Sequence, residues 1–272
     1  MPLRAAALCL AVLAPGLARA ENPSVVGMRT ADEVRGWQSV GKLVLGARGF
    51  CTGVLIEPQL VLTAAHCLFD KETGARIPDA TISFQAGWRN GRAEAYRGLR
   101  RSVAHPDYVY SGAEDLDRVA SDLALLELDQ PILLPQLAPF ATGGRPGMGA
   151  SVSVVSYAMD RSEVPSIERD CRVMALETEA MVLTCDIDFG SSGAPVFALR
   201  ETGAEVVSVI SAKADYMGRK VALAVPVEEP LARLRSEIGA SGGIRATGGV
   251  RVISGGGADG GAGRGGAKFI TP

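Results

Sequence analysis

Apolar positions between residues 39 and 67 come in short runs, SVGKLVLGARG and then FCTGVLIEPQLVLTAAHC, broken by glycine, proline and polar turn residues. This spacing predicts strand, hairpin and strand. Comparable runs recur at ATISFQAGW, SDLALLELD, ASVSVVSYAM, RVMALETEAMVLTCDI, APVFAL, AEVVSVISAK and KVALAVPV. Val, Ile, Thr and Ser dominate them, and long stretches with a 3.6-residue period are missing. The exception is VEEPLARLRSEIGA, residues 227–240, where Pro230 stands at a helix start and Leu231, Leu234 and Ile238 share one face. The pattern is that of an all-β chain closed by one C-terminal helix. Pro131, Pro135 and Pro139, clustered in DQPILLPQLAPF, read as a crossing between two groups of strands.

The two ends read differently. In MPLRAAALCLAVLAPGLARA, Arg4 precedes an apolar stretch and a small-x-small pattern at Ala18 to Ala20, which predicts a signal peptide over residues 1–20 and a mature chain from Glu21. That stretch, interrupted by Pro15 and Gly16, is too short to span a bilayer, and no later segment is long enough. Residues 241–272 are so rich in glycine that burial cannot offset their ordering entropy, so a solvated flexible tail is expected there. The intervening length suits one large all-β domain or two small lobes. A formal net charge of −2, from 28 basic and 30 acidic residues, leaves no basic footprint for nucleic acid.

Losing the signal removes Cys9 and leaves Cys51, Cys67, Cys171 and Cys185, an even number suited to an oxidising compartment. Local pairing, Cys51 with Cys67 and Cys171 with Cys185, is favoured; each bridge closes a loop of about 15 residues, stabilising by up to ~3 kcal/mol in the chain-entropy view. Zinc is the rival use of these cysteines. With no CxxC pair and only two histidines in the chain, no metal site is expected.

Three positions carry potential chemistry: His66 in LTAAHC, Asp122 in SDLALLEL and Ser192 in GSSGAP. A serine hydroxyl is a poor nucleophile until an imidazole within hydrogen-bond reach takes its proton. That imidazole needs a buried carboxylate to fix its tautomer and stabilise its charged form. Asp115 and Asp117 rival Asp122 for this place, but they stand in YSGAEDLDRVA, which reads as a loop, whereas Asp122 leads into an apolar strand that would bury it.

CTGVLI followed by VLTAAHC, then SDLALLEL and GSSGAP, in the order His, Asp, Ser, resembles a trypsin-like (chymotrypsin-fold) serine protease over roughly residues 36–239, and more closely the bacterial V8-like branch. The resemblance implies two antiparallel six-stranded β-barrels with a C-terminal helix, as lobes over residues 21–134 and 135–240, the first bearing His66 and Asp122 and the second the nucleophile. It implies Ser192 rather than Ser191 as nucleophile, because the family pattern is Gly, variable residue, Ser, Gly, small residue, Pro. The N–H groups of Gly190 and Ser192 would then form an oxyanion hole. Ser211, 19 residues on, would support the aspartate and open the strand that pairs with substrate backbone. His105 in VAHPDY matches a structural segment and is read as non-catalytic.

Two departures from the family pattern matter. Ser191 replaces the acidic residue that, in digestive and clotting relatives, pairs with a freed N-terminus, so the protease-like start Val25-Val26-Gly27 has no obvious partner. Ile187 and Ile210 replace the threonine and histidine of the glutamate-cleaving enzymes. Asp186 stands where trypsins carry a basic-selecting aspartate, and Lys213 near the pocket rim would oppose a basic residue. These four are candidate specificity residues with no preferred side chain assigned. The expected function is that of an exported serine endopeptidase, secreted or periplasmic. It would act on protein or peptide substrates without cofactor, nucleic-acid partner or membrane span, with a monomer as the default state. The alternative is a catalytically silent binding protein that kept the protease fold.

Overall fold

The computed structural model describes residues 25–110, 116–177 and 180–242. The expected signal segment, the mature start at Glu21, the glycine-rich tail and Asp115 lie outside the described residues.

Strand β1 is Val25–Gly27, and β2 to β7 are Val40–Leu45, Phe50–Glu57, Leu60–Thr63, Ile82–Ala86, Ala95–Ala104 and Ala124–Leu128. Strands β2 to β7 close a barrel in the order β2-β3-β4-β7-β6-β5. Its interior is filled by aliphatic and aromatic side chains such as Val54, Leu62, Phe84 and Leu125, all without solvent exposure. Strand β6, AYRGLRRSVA, is the member that the apolar pattern does not reveal. Most of its side chains are only half-buried, and Arg100 and Arg101 donate to the Glu127 carboxylate of β7 at 2.8 and 2.6 Å.

A second barrel is built from β9 (Ser151–Ser156), β10 (Ser166–Leu176), β11 (Met181–Leu183), β12 (Pro195–Arg200), β13 (Gly203–Tyr216) and β14 (Arg219–Pro226). Pairing runs β10-β11-β14-β13-β12-β9, and the β9–β10 pairing closes the ring. The short β8 (Ala141–Thr142) adds to β13 in parallel, and β1 adds to the outside of β10. The proline-rich segment between β7 and β8 is the crossing between the barrels. Trp37, Phe140 and Phe197 meet there with ring centroids 4.7 to 5.9 Å apart, joining the segment before β2, the crossing and β12.

Helix α1, Leu116–Ala120, is a single short turn in a segment whose polar sequence reads as a loop. Helix α2, Glu228–Gly242, buries Leu231, Leu234 and Ile238, the face that the sequence period marks. It returns to the first barrel through Arg233 with Asp107 at 2.6 Å and Arg235 with Glu57 at 2.5 Å. Both local disulfides, Cys51–Cys67 and Cys171–Cys185, are formed. No helix among the described residues is long and apolar enough to cross a membrane.

Candidate active site

Strand β4 enters the barrel core and ends at Thr63, and the chain turns through a single 3-10 turn, Ala65–Leu68, that carries His66 at its start. The Cys67 bridge to Cys51 on β3 anchors the turn from the far side. Asp122 sits between α1 and β7, its own N–H donating to the Val119 carbonyl at 3.0 Å. His66 meets it twice: the backbone N–H donates to Oδ1 at 2.8 Å, and Nδ1 lies 2.7 Å from Oδ2. A carboxylate opposite Nδ1 requires the proton on that nitrogen, which leaves Nε2 as the ring's acceptor.

The third contact comes from the other barrel. Ser211 Oγ donates to Asp122 Oδ2 at 2.5 Å. The β13–β14 register shifts between Ile210 and Ala212, so Ser211 is the extra residue of a bulge, the device that re-aims a side chain away from strict alternation. Asp122 is fully buried. Burial alone would raise its pKa, but the His66 ring, the Ser211 hydroxyl and the His66 backbone N–H together outweigh it and hold the carboxyl below its usual range.

The second barrel supplies the serine turn. Ser191 N–H donates to the Asp188 carbonyl and Ala194 N–H to the Ser191 carbonyl, both at 2.9 Å. The turn is stitched to β13 by Gly193 N–H on the Ile210 carbonyl at 2.8 Å and Ile210 N–H on the Ala194 carbonyl at 2.9 Å. Gly193 has φ +77°, and a Cβ there would collide with Thr63 Oγ1 and the Thr52 carbonyl. Gly190 has φ +95°, and a Cβ there would enter the Phe50 ring. Only glycine meets both demands at these positions.

Thr52 on β3 is the main tie between the barrels at this turn, and nothing in the CTG motif marks it out. Its N–H donates to the Ser192 carbonyl at 2.8 Å and its Oγ1 to the Gly190 carbonyl at 2.9 Å. Tyr157 N–H donates to the same Oγ1 at 3.0 Å, and Thr63 Oγ1 donates to the Thr52 carbonyl at 2.8 Å. Met159 is the other residue that sequence missed: its N–H donates to the Phe189 carbonyl at 2.8 Å. A trans peptide points its C=O and N–H in opposite directions. Holding the Phe189 carbonyl therefore turns the Gly190 N–H the other way, and no acceptor among the described residues takes it or the Ser192 N–H.

His66, Ser192 and Ser211 line one cleft of about 390 Å³ together with Ile187, Asp188, Phe189, Ile210, Ala212 and Lys213, and Lys71, Tyr110 and Arg118 line it as well. No hydrogen bond joins Ser192 to the imidazole among the described residues. A larger cavity, about 800 Å³, lies elsewhere around His105, Asp107 and Arg233, and holds none of these groups. His105 is buried and receives the Asp107 N–H on Nδ1 at 3.3 Å, away from the cleft.

Three of the four candidate specificity residues, Ile187, Ile210 and Lys213, line the cleft. Asp186 stands apart from them. Its side chain is exposed and outside the cleft lining, and its N–H donates to Glu168 Oε2 at 2.8 Å. Ser191 is buried, and its hydroxyl donates to Ser156 Oγ at 3.3 Å. Val25 lies opposite Glu168 on β10, as part of an added strand.

The sequence matches the family described as trypsin-like peptidase domain over residues 51–207, more than half of the chain. It is 27% identical over 150 residues to glutamyl endopeptidase of Bacillus licheniformis, covering 55% of this chain and 45% of that protein. It is 35% identical over 115 residues to human kallikrein-10, covering 42% and 38%. The matches thus span less than half the length of these curated relatives. Among solved structures, a Glu endopeptidase in complex with MPD superposes with a TM-score of 0.63 at 18% identity, over 78% of this chain and 96% of that one. The thermostable serine protease AL20 from an extremophilic microorganism follows at 0.59 and 17%, over 75% and 98%. These two share the fold of paired β-barrels, and with the family match over residues 51–207 the chain belongs to the trypsin-like peptidases.

Proposed function

We propose that the protein is an exported serine endopeptidase with Ser192 as nucleophile, His66 as general base and acid, and Asp122 as the group that orients and stabilises His66. The observation that carries this reading is the buried Asp122 carboxylate, bonded by His66 Nδ1 at 2.7 Å and by Ser211, in a cleft that Ser192 also lines. Ser192 Oγ attacks the scissile carbonyl carbon and its proton passes to His66 Nε2. The oxyanion is received by the N–H groups of Gly190 and Ser192. The imidazolium returns its proton to the leaving amine, and water then repeats the sequence on the acyl ester. Two disulfides favour an oxidising compartment outside the cytoplasm.

The turn is ordered without a charged N-terminus, because Ser191 offers a hydroxyl where an ion pair would need a carboxylate. A chain starting at Glu21 is therefore expected to be as active as one starting at Val25, and strict dependence on a Val25 start would sink this part of the reading. The whole proposal is tested by hydrolysis of unfolded casein. Wild type and Ser191→Ala cleave it and Ser192→Ala does not; saturable binding of casein without cleavage by wild type favours a silent binding protein instead.

A further inference from the structure

We infer that the cleft selects a leucine-type aliphatic side chain on the acyl side of the scissile bond and rejects a carboxylate or a cation there; this rests on the peptidase reading above and names its substrate class. The deep wall beside Ser192 is made of Ile187, Ile210 and Ala212, which are 6%, 1% and 6% exposed. Ile210 is held against the serine turn by its two backbone hydrogen bonds, to Gly193 and Ala194, so its position is fixed by the same network that positions the nucleophile. The Ser211 bulge lets Ile210, Ser211 and Ala212 all face the cleft, where regular alternation would turn one or two of them away.

The cleft is also lined by Lys71, whose Nζ lies 5.3 Å from the Phe189 ring centroid, and by Arg118, which donates to the Tyr108 hydroxyl at 3.4 Å; the charged groups next to the isoleucine wall itself are Lys213 and Asp188. Lys213 Nζ lies 3.6 Å from Asp188 Oδ1, and the two side chains are 43% and 28% exposed. The pair cancels its own charge. A substrate carboxylate reaching for Lys213 meets the Asp188 carboxylate beside it, and a substrate cation reaching for Asp188 meets the Lys213 ammonium. Deeper in, either charge would leave water for isoleucine methyl groups that offer no hydrogen bond. An aliphatic side chain avoids both penalties and covers Ile187 and Ile210 from solvent. Asp188 also accepts the Phe189 N–H at 2.9 Å, which fixes the carboxylate that holds Lys213 back.

The test uses the full-length exported protein and peptide substrates identical except for Leu, Glu or Arg on the acyl side of the bond. Diisopropyl fluorophosphate, which has no such side chain, titrates the competent sites independently. The expected kcat/KM for Leu exceeds those for Glu and Arg by at least ~20-fold, the scale on which a pocket distinguishes matched from mismatched groups. Asp188→Asn keeps the acceptor for Phe189 N–H and frees Lys213, so the ratio of Glu to Leu rises about fivefold or more. Equal or higher kcat/KM for Glu or Arg in a protein that titrates fully overturns this inference and leaves the peptidase reading standing. An unchanged ratio in Asp188→Asn overturns the part assigned to the rim pair. No titration of the wild type overturns the peptidase reading and this inference with it.

Discussion

The His66–Asp122 pair and the serine turn are anchored in opposite ways. Asp122 and His66 belong to the first barrel, and the hydroxyl that completes Asp122 comes from Ser211 in the second. The serine turn belongs to the second barrel, and its chief restraint is Thr52 in the first. Each half of the proposed chemistry is thus held by the other lobe, so a shift between lobes disturbs both at once. The forces differ, however. Asp122 is held by charge-assisted bonds, about twice as strong as neutral ones. The serine turn relies on neutral hydrogen bonds and on two glycines with positive φ. The first arrangement responds to pH, and the second to the shape of one buried threonine.

The largest effect is expected for Asp122→Asn. Loss of the carboxylate reverses the tautomer preference of His66, and kcat falls by about four orders of magnitude. Steady-state hydrolysis at saturating substrate measures it, and a fall of less than tenfold would separate Asp122 from the chemistry. Thr52→Val comes next. It strands the Gly190 carbonyl and the Tyr157 N–H in a buried site, at a cost of about 2–4 kcal/mol. Urea unfolding reads that loss, while Thr52→Ser, which keeps the hydroxyl, recovers most of it. If Thr52→Val and Thr52→Ser lose the same stability, the tie is packing rather than hydrogen bonding.

Ser211→Ala removes one of three donors from Asp122 but leaves both His66 bonds, so kcat drops about tenfold, or ~1.4 kcal/mol. The same change in a Thr52→Val background tests whether the two anchors couple: a cycle energy of about 0.5 kcal/mol or more means that the lobes move as one. The smallest effect is on acid stability. The folded-state pKa of Asp122 is lowered, so its contribution is complete above the unfolded carboxylate range near ~4 and is lost as pH falls through the folded value. Urea unfolding of wild type should weaken over that acid window, and Asp122→Asn should show a shallower slope there. Equal slopes would mean that the carboxylate contributes no pH-linked stability.

What could be read from the sequence follows the same division. Strands β3, β4, β12 and β14 announce themselves because apolar residues bury most of their length. Strand β6 stays hidden because Arg97, Arg100 and Arg101 interrupt its apolar run, and the carboxylate that pairs with two of them, Glu127, is 26 and 27 residues away. His66, Asp122 and Ser192 are visible as short motifs with a chemical rationale. Thr52 and Met159 are not, because each acts through a bond to a residue far along the chain, and nothing in CTG or AMD signals that partner. Position in the chain does not separate Ile187, which lines the cleft, from Asp186, whose exposed side chain lies outside its lining.

The central question is whether Ser192 is the group that His66 activates. Treating the wild-type protein with a fluorophosphonate and mapping the adduct by peptide mass spectrometry asks this directly. The prediction is one adduct per chain, on Ser192, absent from both Ser192→Ala and His66→Ala. An adduct on Ser191, or labelling of Ser192 that persists undiminished in His66→Ala, would contradict it.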